Sequence, residues 1–263
     1  ASKRVLVRSR GPSMGGAPFF VPGILANPFL QLYSGQTVIA QNDNWQDAPS
    51  CSGFVCEGAA AIIATGLDPC RPNPGQTAPP PNCNLEAAIL ITLPPGAYTS
   101  MVTGADGGTG VGLMEVFDAD TGTVSDLSNL STRGVVQSGD SMMIGGLTIE
   151  GSTPAKVLIR ARGPSMGGAP FNVPGTLADP LLQLYSGQTV IAQNDNWQVT
   201  DPLCQTTGHT CGSPSELVAT GLAPSNALEP AILITLPPGP YTAIVTGVAN
   251  GTGVGLVEVY DVP

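Results

Sequence analysis

Short apolar runs with an alternating pattern recur along the chain, separated by turns rich in Gly, Pro, Asn and Asp. In VLVRSR, residues 5–10, the odd positions face one side of an extended chain and the even positions, with both arginines, face the other. No long stretch has the 3.6-residue period of an amphipathic helix. The pattern predicts an all-β fold of antiparallel β-sandwich or jelly-roll type. Further predicted strands are FLQLY, TVIAQ, AAILITL, AYTSMVTG and GVGLMEVFD.

The whole pattern occurs twice. Residues 31–46, QLYSGQTVIAQNDNWQ, recur letter for letter at 183–198. A repeat of this length indicates two homologous modules in tandem. We assign residues 1–120 to the first module, 154–263 to the second, and 121–153 to a connector.

The connector has no counterpart elsewhere in the chain. Its segment GVVQSGDSMMIGGLTIEG predicts two strands around a Ser-Gly-Asp turn. The chain then has two modules but only one set of these strands. The module without them has an open sheet edge, with which a strand of another chain can pair. The alternative is that the connector is only an ordered linker.

Composition limits the classes of function and partner that fit this chain. The chain has 34 Gly, 26 Pro and only 11% charged residues, as expected for many turns and few exposed helices. A formal net charge of -10 repels phosphate backbones and excludes nucleic acid as a partner. The sequence contains no run of 18 apolar residues, so it predicts no membrane-spanning helix. No signal peptide is visible, and we expect that an export signal was removed before Ala1.

The cysteines fall into three local pairs within polar loops. Three disulfides are the simplest interpretation, and they indicate an oxidising setting, hence a secreted, extracellular or cell-surface protein. A zinc site is the alternative, but the pairs lack C-x-x-C spacing and His209 has no histidine partner. The predicted pairs are Cys51 with Cys56, Cys70 with Cys83, and Cys204 with Cys211.

The order of motifs resembles a known family. GDSMMIGG, VLIRARGPS, LADPLLQLYSG, NDNWQ, LPPGPYTAIVTG and GVGLVEVYD resemble a repeat module of secreted and cell-surface bacterial proteins. The part from LYSGQTVIAQNDN to TLPPGPYTAIVTG is also similar to the bacterial pre-peptidase C-terminal β-sandwich domain. In the module's usual order the strands of residues 135–149 complete the second module, so the first starts at Lys3 without them. The resemblance implies no enzymatic activity and no catalytic residues.

The stretch GPSMGG, at residues 11–16 and 163–168, matches the G-x-S-x-G pattern of a hydrolase nucleophile elbow. Such an elbow needs a following helix and a histidine base. Met-Gly-Gly-Ala-Pro cannot start a stable helix, and the first copy contains no histidine. We therefore predict a turn between strands, and a protein that is not an enzyme.

The repeated NDNW loops concentrate side-chain oxygens, which are the ligands of calcium. One Asp with two Asn is a small ligand set, and the alternative is an Asx-turn over a packed Trp45 or Trp197. These tryptophans and nearby tyrosines could instead form a sugar-stacking platform, although each lies where a core aromatic is expected. No cofactor other than calcium is suggested. The candidate calcium ligands are Asn42, Asp43, Asn44, Asn194, Asp195 and Asn196.

Paired arginines on the first strand of each copy face acidic residues that also recur, on the last strand. They predict cross-strand ion pairs, or contacts that join one molecule to the next. The residues are Arg8, Arg10, Arg160 and Arg162, with Glu115, Asp118, Glu258 and Asp261.

The duplication, the unequal strand count and the absence of catalytic groups favour a structural function. In this hypothesis the subunits form a homo-oligomer or polymer, as an extracellular filament, fibre or surface layer, through sheet edges and charged faces. The alternative is a secreted adhesin that binds a surface glycan or protein, with calcium as a cofactor.

Overall fold

The computed structural model describes residues 1–73, 75–120, 128–139, 142–200 and 202–262. It confirms the predicted fold class: four antiparallel sheets pair into two sandwich-like units, and the helices are short. Unit 1 comprises residues 1–126 and unit 2 residues 127–263. Two segments of the predicted connector, 121–127 and 140–141, lie outside the described residues, and the rest of it belongs to unit 2.

Unit 1 is built from two four-stranded sheets with the strand orders β5-β6-β1-β8 and β4-β3-β2-β7. The short helix α1 (Ala59–Ala64) follows β5. A tight turn at Gly35, where φ is 59°, joins β2 to β3. The strands are β1 (Lys3–Arg10), β2 (Pro28–Ser34), β3 (Thr37–Asn42), β4 (Ser50–Cys51), β5 (Cys56–Glu57), β6 (Ala87–Leu93), β7 (Tyr98–Gly104) and β8 (Leu113–Asp118).

Unit 2 repeats this plan with β9 added to one sheet and β10 added to the other, and it has no described counterpart of β4. Its sheets have the orders β14-β15-β11-β17-β9 and β10-β16-β12-β13. Two short helices, α2 (Pro202–Thr206) and α3 (Pro214–Ala219), flank β14. The strands are β9 (Asn129–Val136), β10 (Met143–Ile149), β11 (Ala155–Arg162), β12 (Pro180–Ser186), β13 (Thr189–Asn194), β14 (Thr210–Cys211), β15 (Ala231–Leu236), β16 (Gly239–Gly247) and β17 (Gly253–Asp261).

The main core of each unit lies between its two sheets. In unit 1 it includes Val5, Val7, Leu30 and Ile89, and in unit 2 it is larger. A second, smaller core lies on the other face of the β1 sheet, where Ile62 of α1 packs with Leu6 and Leu90. Because this sheet is covered on both faces, β6 is apolar at every position except Thr92 rather than alternating.

A disulfide closes one end of each sandwich. Cys51 in β4 is bonded to Cys56 in β5, and these two-residue strands are the edges of opposite sheets. In unit 2, Cys204 of α2 is bonded to Cys211 of β14. The third predicted disulfide is also present and joins the ends of the Pro-rich insert of unit 1, between Cys70 and Cys83. All three are confirmed, and they indicate an oxidising compartment.

The other end of unit 2 is formed by β9 and β10, which we call the strand pair. β9 pairs with β17 over its whole length, and β10 pairs with β16. Val136 and Met143 of this pair are buried in the core of unit 2. Gly255 of β17 makes room for this packing, because a Cβ there would lie 2.9 Å from Val136 Cγ2.

Two matched glycine substitutions test this packing. Gly255→Val should destabilise unit 2 by about 1–3 kcal/mol, since the added side chain overpacks against Val136. The corresponding Gly112→Val in unit 1 should be tolerated, because a Cβ there meets Leu25 Cδ2 at 3.6 Å and no strand beyond it. Hydrogen exchange followed by mass spectrometry should show faster exchange over 129–149 in Gly255→Val alone. Equal exchange in both variants would contradict the packing described here.

Candidate functional site

Unit 1 has no described strand in the places that β9 and β10 occupy in unit 2. Within the described residues β8 pairs only with β1, and β7 pairs only with β2. The outer N–H and C=O groups of two strands at one end of the sandwich therefore lack a strand partner. We call this surface, formed by β7 and β8, the open end.

The open end also exposes part of the core of unit 1. Inward-facing residues of β7 and β8 are only half-buried, whereas their counterparts in unit 2 are buried beneath the strand pair. The sequences of these strands are nearly the same in both units, so the missing strands account for the difference. The pairs are Tyr98 and Tyr241, Val102 and Val245, and Met114 and Val257.

Apolar side chains also lie on the outer surface at this end. Met101 of β7 is 42% exposed and Leu113 of β8 is 38% exposed. In unit 2 the counterpart of Met101, Ile244, lies opposite Ile144 of β10 in the sheet register. An apolar surface bordered by unpaired backbone is typical of a protein interaction site.

The predicted arginine and carboxylate pairs form within each unit. Arg8 binds Glu115, with Nε 2.5 Å from Oε2, and stacks over Phe117. Arg160 binds Glu258, with Nε 2.6 Å from Oε2. Burial lowers the pKa of Arg160, but Glu258 and Tyr260 together raise it above its ordinary value. These arginines are thus already partnered. A role for their charged faces in assembly stays a prediction.

The remaining predicted charges are distributed differently. Arg10 donates to the hydroxyl of Ser13 and stacks on Phe19. Arg162 does the same with Ser165 and Phe171. Neither arginine forms an ion pair with a carboxylate among the described residues. Asp118 is bound by Lys3 Nζ at 2.6 Å. Asp261 is exposed and has no ion pair with another described residue.

The GPSMGG turn binds a buried carboxylate. In unit 1 the backbone N–H groups of Gly11 and Ser13 donate to Glu86, at 3.0 and 2.7 Å, and the hydroxyl of Ser13 accepts from Arg10. Burial raises the pKa of Glu86, and these hydrogen bonds oppose the shift. Ser13 is itself buried, which leaves its hydroxyl as a structural acceptor for Arg10. The motif thus joins the end of β1 to the residue before β6.

Unit 2 repeats this connection with Glu229, which accepts from the backbone N–H groups of Gly163 and Ser165 at 2.9 Å. Gly163 is required because a Cβ there would lie 2.1 Å from the carbonyl oxygen of Leu177. The chain's His209 contacts Thr207, not this turn. Sequence analysis missed both glutamates, although a Leu-Glu pair precedes the same strand in each copy.

Removing this carboxylate should weaken unit 1 selectively. Glu86→Ala leaves the buried backbone N–H groups of Gly11 and Ser13 without their acceptor, so we expect a loss of about 1–3 kcal/mol in folding free energy. Ser13→Ala keeps the backbone donors bound and should cost less. Hydrogen exchange of β1 and β6 measures the effect, with Glu229→Ala as the matched variant in unit 2. Equal effects of Glu86→Ala and Ser13→Ala would contradict this role of the carboxylate.

The NDNW loops also have a structural function. Asn42 is buried, its amide nitrogen donates to the carbonyls of Asn44 and Asp47, and its oxygen accepts from Ala88 N–H at 3.0 Å. It therefore connects β3 in one sheet to β6 in the other. Asn194 repeats these contacts with Asn196, Val199 and Ala231.

The oxygens of both buried asparagines are thus occupied by backbone donors. The two aspartates of the loops, Asp43 and Asp195, are half-buried. Burial and the nearby Asp106 and Asp47 raise the pKa of Asp43. No group of three or more His, Cys, Asp or Glu side chains suited to a metal ion occurs among the described residues. Calcium binding by these loops stays a prediction.

The candidate sugar platform is largely enclosed. Trp45 is buried, and its indole N–H donates to the carbonyl of Cys83 at 3.1 Å. Tyr241 is buried too, and Tyr98 and Tyr241 each donate a hydroxyl hydrogen bond to a nearby proline carbonyl. Trp197 is half-buried. Each of these four rings packs within its own unit.

No protein-family model matches this chain, and no curated protein matches it. Among solved structures, the crystal structure of an infectious bursal disease virus VP2 subviral particle aligns with 99% of this chain at 12% identity and a TM-score of 0.17. The aligned region covers 58% of that viral chain. A likeness this weak supports no conclusion about fold or function.

Proposed function

We propose that this chain is a non-catalytic structural subunit that self-assembles into an extracellular filament, fibre or surface layer. The observation that supports this proposal is the open end of unit 1. Its two edge strands have six and seven residues, and no described strand covers them. Long, uncovered edges promote association between chains, and proteins that remain monomeric normally protect them.

The rest of the molecule agrees with an extracellular structural function. Three disulfides indicate an oxidising compartment. Within the described ranges, no helix is long and apolar enough to cross a membrane. The conspicuous serine motifs and the NDNW loops hold the sandwiches together rather than forming a reaction centre. We further propose that the protein is secreted and acts outside the cell or at its surface.

A second candidate function is adhesion to a protein partner. The loop of residues 17–22, APFFVP, exposes Phe20 by 69% and Phe19 by 48%. Phe20 has a φ of 50°, an unfavourable value for a phenylalanine, and the corresponding residue of unit 2 is Asn172. A strained and exposed aromatic residue favours a contact with another molecule. If monomeric protein binds a host or matrix protein and Phe20→Asn abolishes binding, adhesion is supported over assembly.

Assembly predicts concentration-dependent polymers of the purified chain. The formal net charge of -10 opposes association, so added salt should promote it by screening the repulsion. Sedimentation velocity over a range of protein and salt concentrations, with electron microscopy of the products, measures this. A monomer at every concentration and salt level would contradict the proposed function.

A further inference from the structure

Only four strands offer long, uncovered sheet edges within the described residues. They are β7 and β8 in unit 1 and the outer edges of β9 and β10 in unit 2. The edges at the disulfide end of each unit are unsuited to pairing: β4, β5 and β14 have two residues each, and α2 packs against β13. Pairing between copies through sheet edges therefore involves the open end, the strand pair, or both.

The sequences of these four strands lack two of the usual protections against pairing. None of them contains proline or lysine, the residues that natural edge strands use to prevent association. The strand pair also exposes apolar side chains on its outer surface, Val135 by 60% and Ile144 by 54%. Unit 2 thus presents an end that is as suited to strand pairing as the open end of unit 1.

The charged residues of these strands indicate which ends of two copies can pair. β8 carries two acids and no base: Glu115, which Arg8 binds and which is 21% exposed, and Asp118, which Lys3 binds and which remains 42% exposed. β9 carries one base, Arg133, and no acid, and Arg133 is exposed without an ion pair among the described residues. Joining two copies of unit 1 would bring acidic edges together, and joining two copies of unit 2 would bring Arg133 against Arg133. An acid and the base Arg133 lie on the same face of the joined sheet only when β8 faces β9, because Glu115 and Arg133 are both on the outer face. β7 and β10 carry no charge.

Exchange of the strand pair between copies does not solve the problem of the open end. Among the described residues there is one such pair, and there are two units that can hold it. A pair donated to unit 1 of a neighbour would leave unit 2 of the donor open, so the number of open ends would stay the same. Pairing with a strand that remains in its own unit, by contrast, covers an edge on each partner.

We infer that the partner of the open end is unit 2 of a second copy, joined head to tail, with β8 beside β9 and β7 beside β10. Both sheets of unit 1 would then continue into the two sheets of the neighbouring unit 2. Such a contact uses two different surfaces, so it repeats from copy to copy and gives a filament, or a ring where the rotation closes. This inference rests on the proposed function and specifies its interface.

Two double variants test the inference by blocking one end each. Met101→Glu with Thr103→Glu places charges on exposed positions of β7, and Ile144→Glu with Thr148→Glu does the same on β10. All four side chains are exposed, so folding of the isolated chain should be preserved. The matched control, Ile63→Glu with Val218→Glu, adds the same charge on exposed positions of α1 and α3.

In sedimentation velocity, the wild type and the control should polymerise, whereas each end-blocked variant alone should remain a monomer. An equimolar mixture of the two blocked variants should give a one-to-one dimer and nothing larger, because each supplies the end that the other lacks. Circular dichroism verifies that all variants are folded.

The possible outcomes separate the two proposals. If the wild type is monomeric, the proposed function fails. If the wild type polymerises but the β10 variant still self-associates, the contact joins unit 1 to unit 1 or exchanges the strand pair, and the head-to-tail inference is overturned. Self-association of the β7 variant alone would overturn it as well, since the contact would then join unit 2 to unit 2.

Discussion

Every open β-sheet ends in strands whose outer backbone donors and acceptors need a partner or protection. This protein meets the constraint in different ways at its different sheet ends. Two-residue strands, a disulfide and a short helix close one end of each sandwich. The strand pair extends the other end of unit 2. Because unit 1 has neither solution at its open end, its core is left partly uncovered there.

The two sheets of each sandwich are held by buried polar groups as well as by apolar packing. Asn42 links β3 to β6, and Glu86 links the turn after β1 to the start of β6. Unit 2 repeats both contacts with Asn194 and Glu229. Buried hydrogen bonds of this kind are expensive to break, so the asparagine fixes how one sheet lies on the other and the glutamate fixes the turn against its own sheet. The repeated GPSMGG and NDNW motifs thus supply the hydrogen bonds that hold the parts of each unit in place.

Much of the fold follows from local sequence pattern. Alternation and turn residues predict the strands, and local cysteine spacing predicts the three disulfides. The short helices were not predicted, although Ser213 and Glu216 form a capping box at the start of α3. The role of Glu86 could not be predicted, because it depends on a contact with residues 11–13, far away in the sequence. The open end could be expected from the strand count, but its exposed residues require the sheet register.

One tryptophan in each unit has a consequence for spectroscopy. Trp45 is buried and donates its indole N–H to the insert of unit 1 at Cys83, whereas Trp197 is half-buried and its indole N–H has no partner among the described residues. Since indole emission depends on hydration and hydrogen bonding, the two modules carry intrinsic fluorophores in different surroundings. The chain has two tryptophans, one in each unit. Replacing either one by phenylalanine therefore leaves a single tryptophan, whose fluorescence reports on the other unit alone.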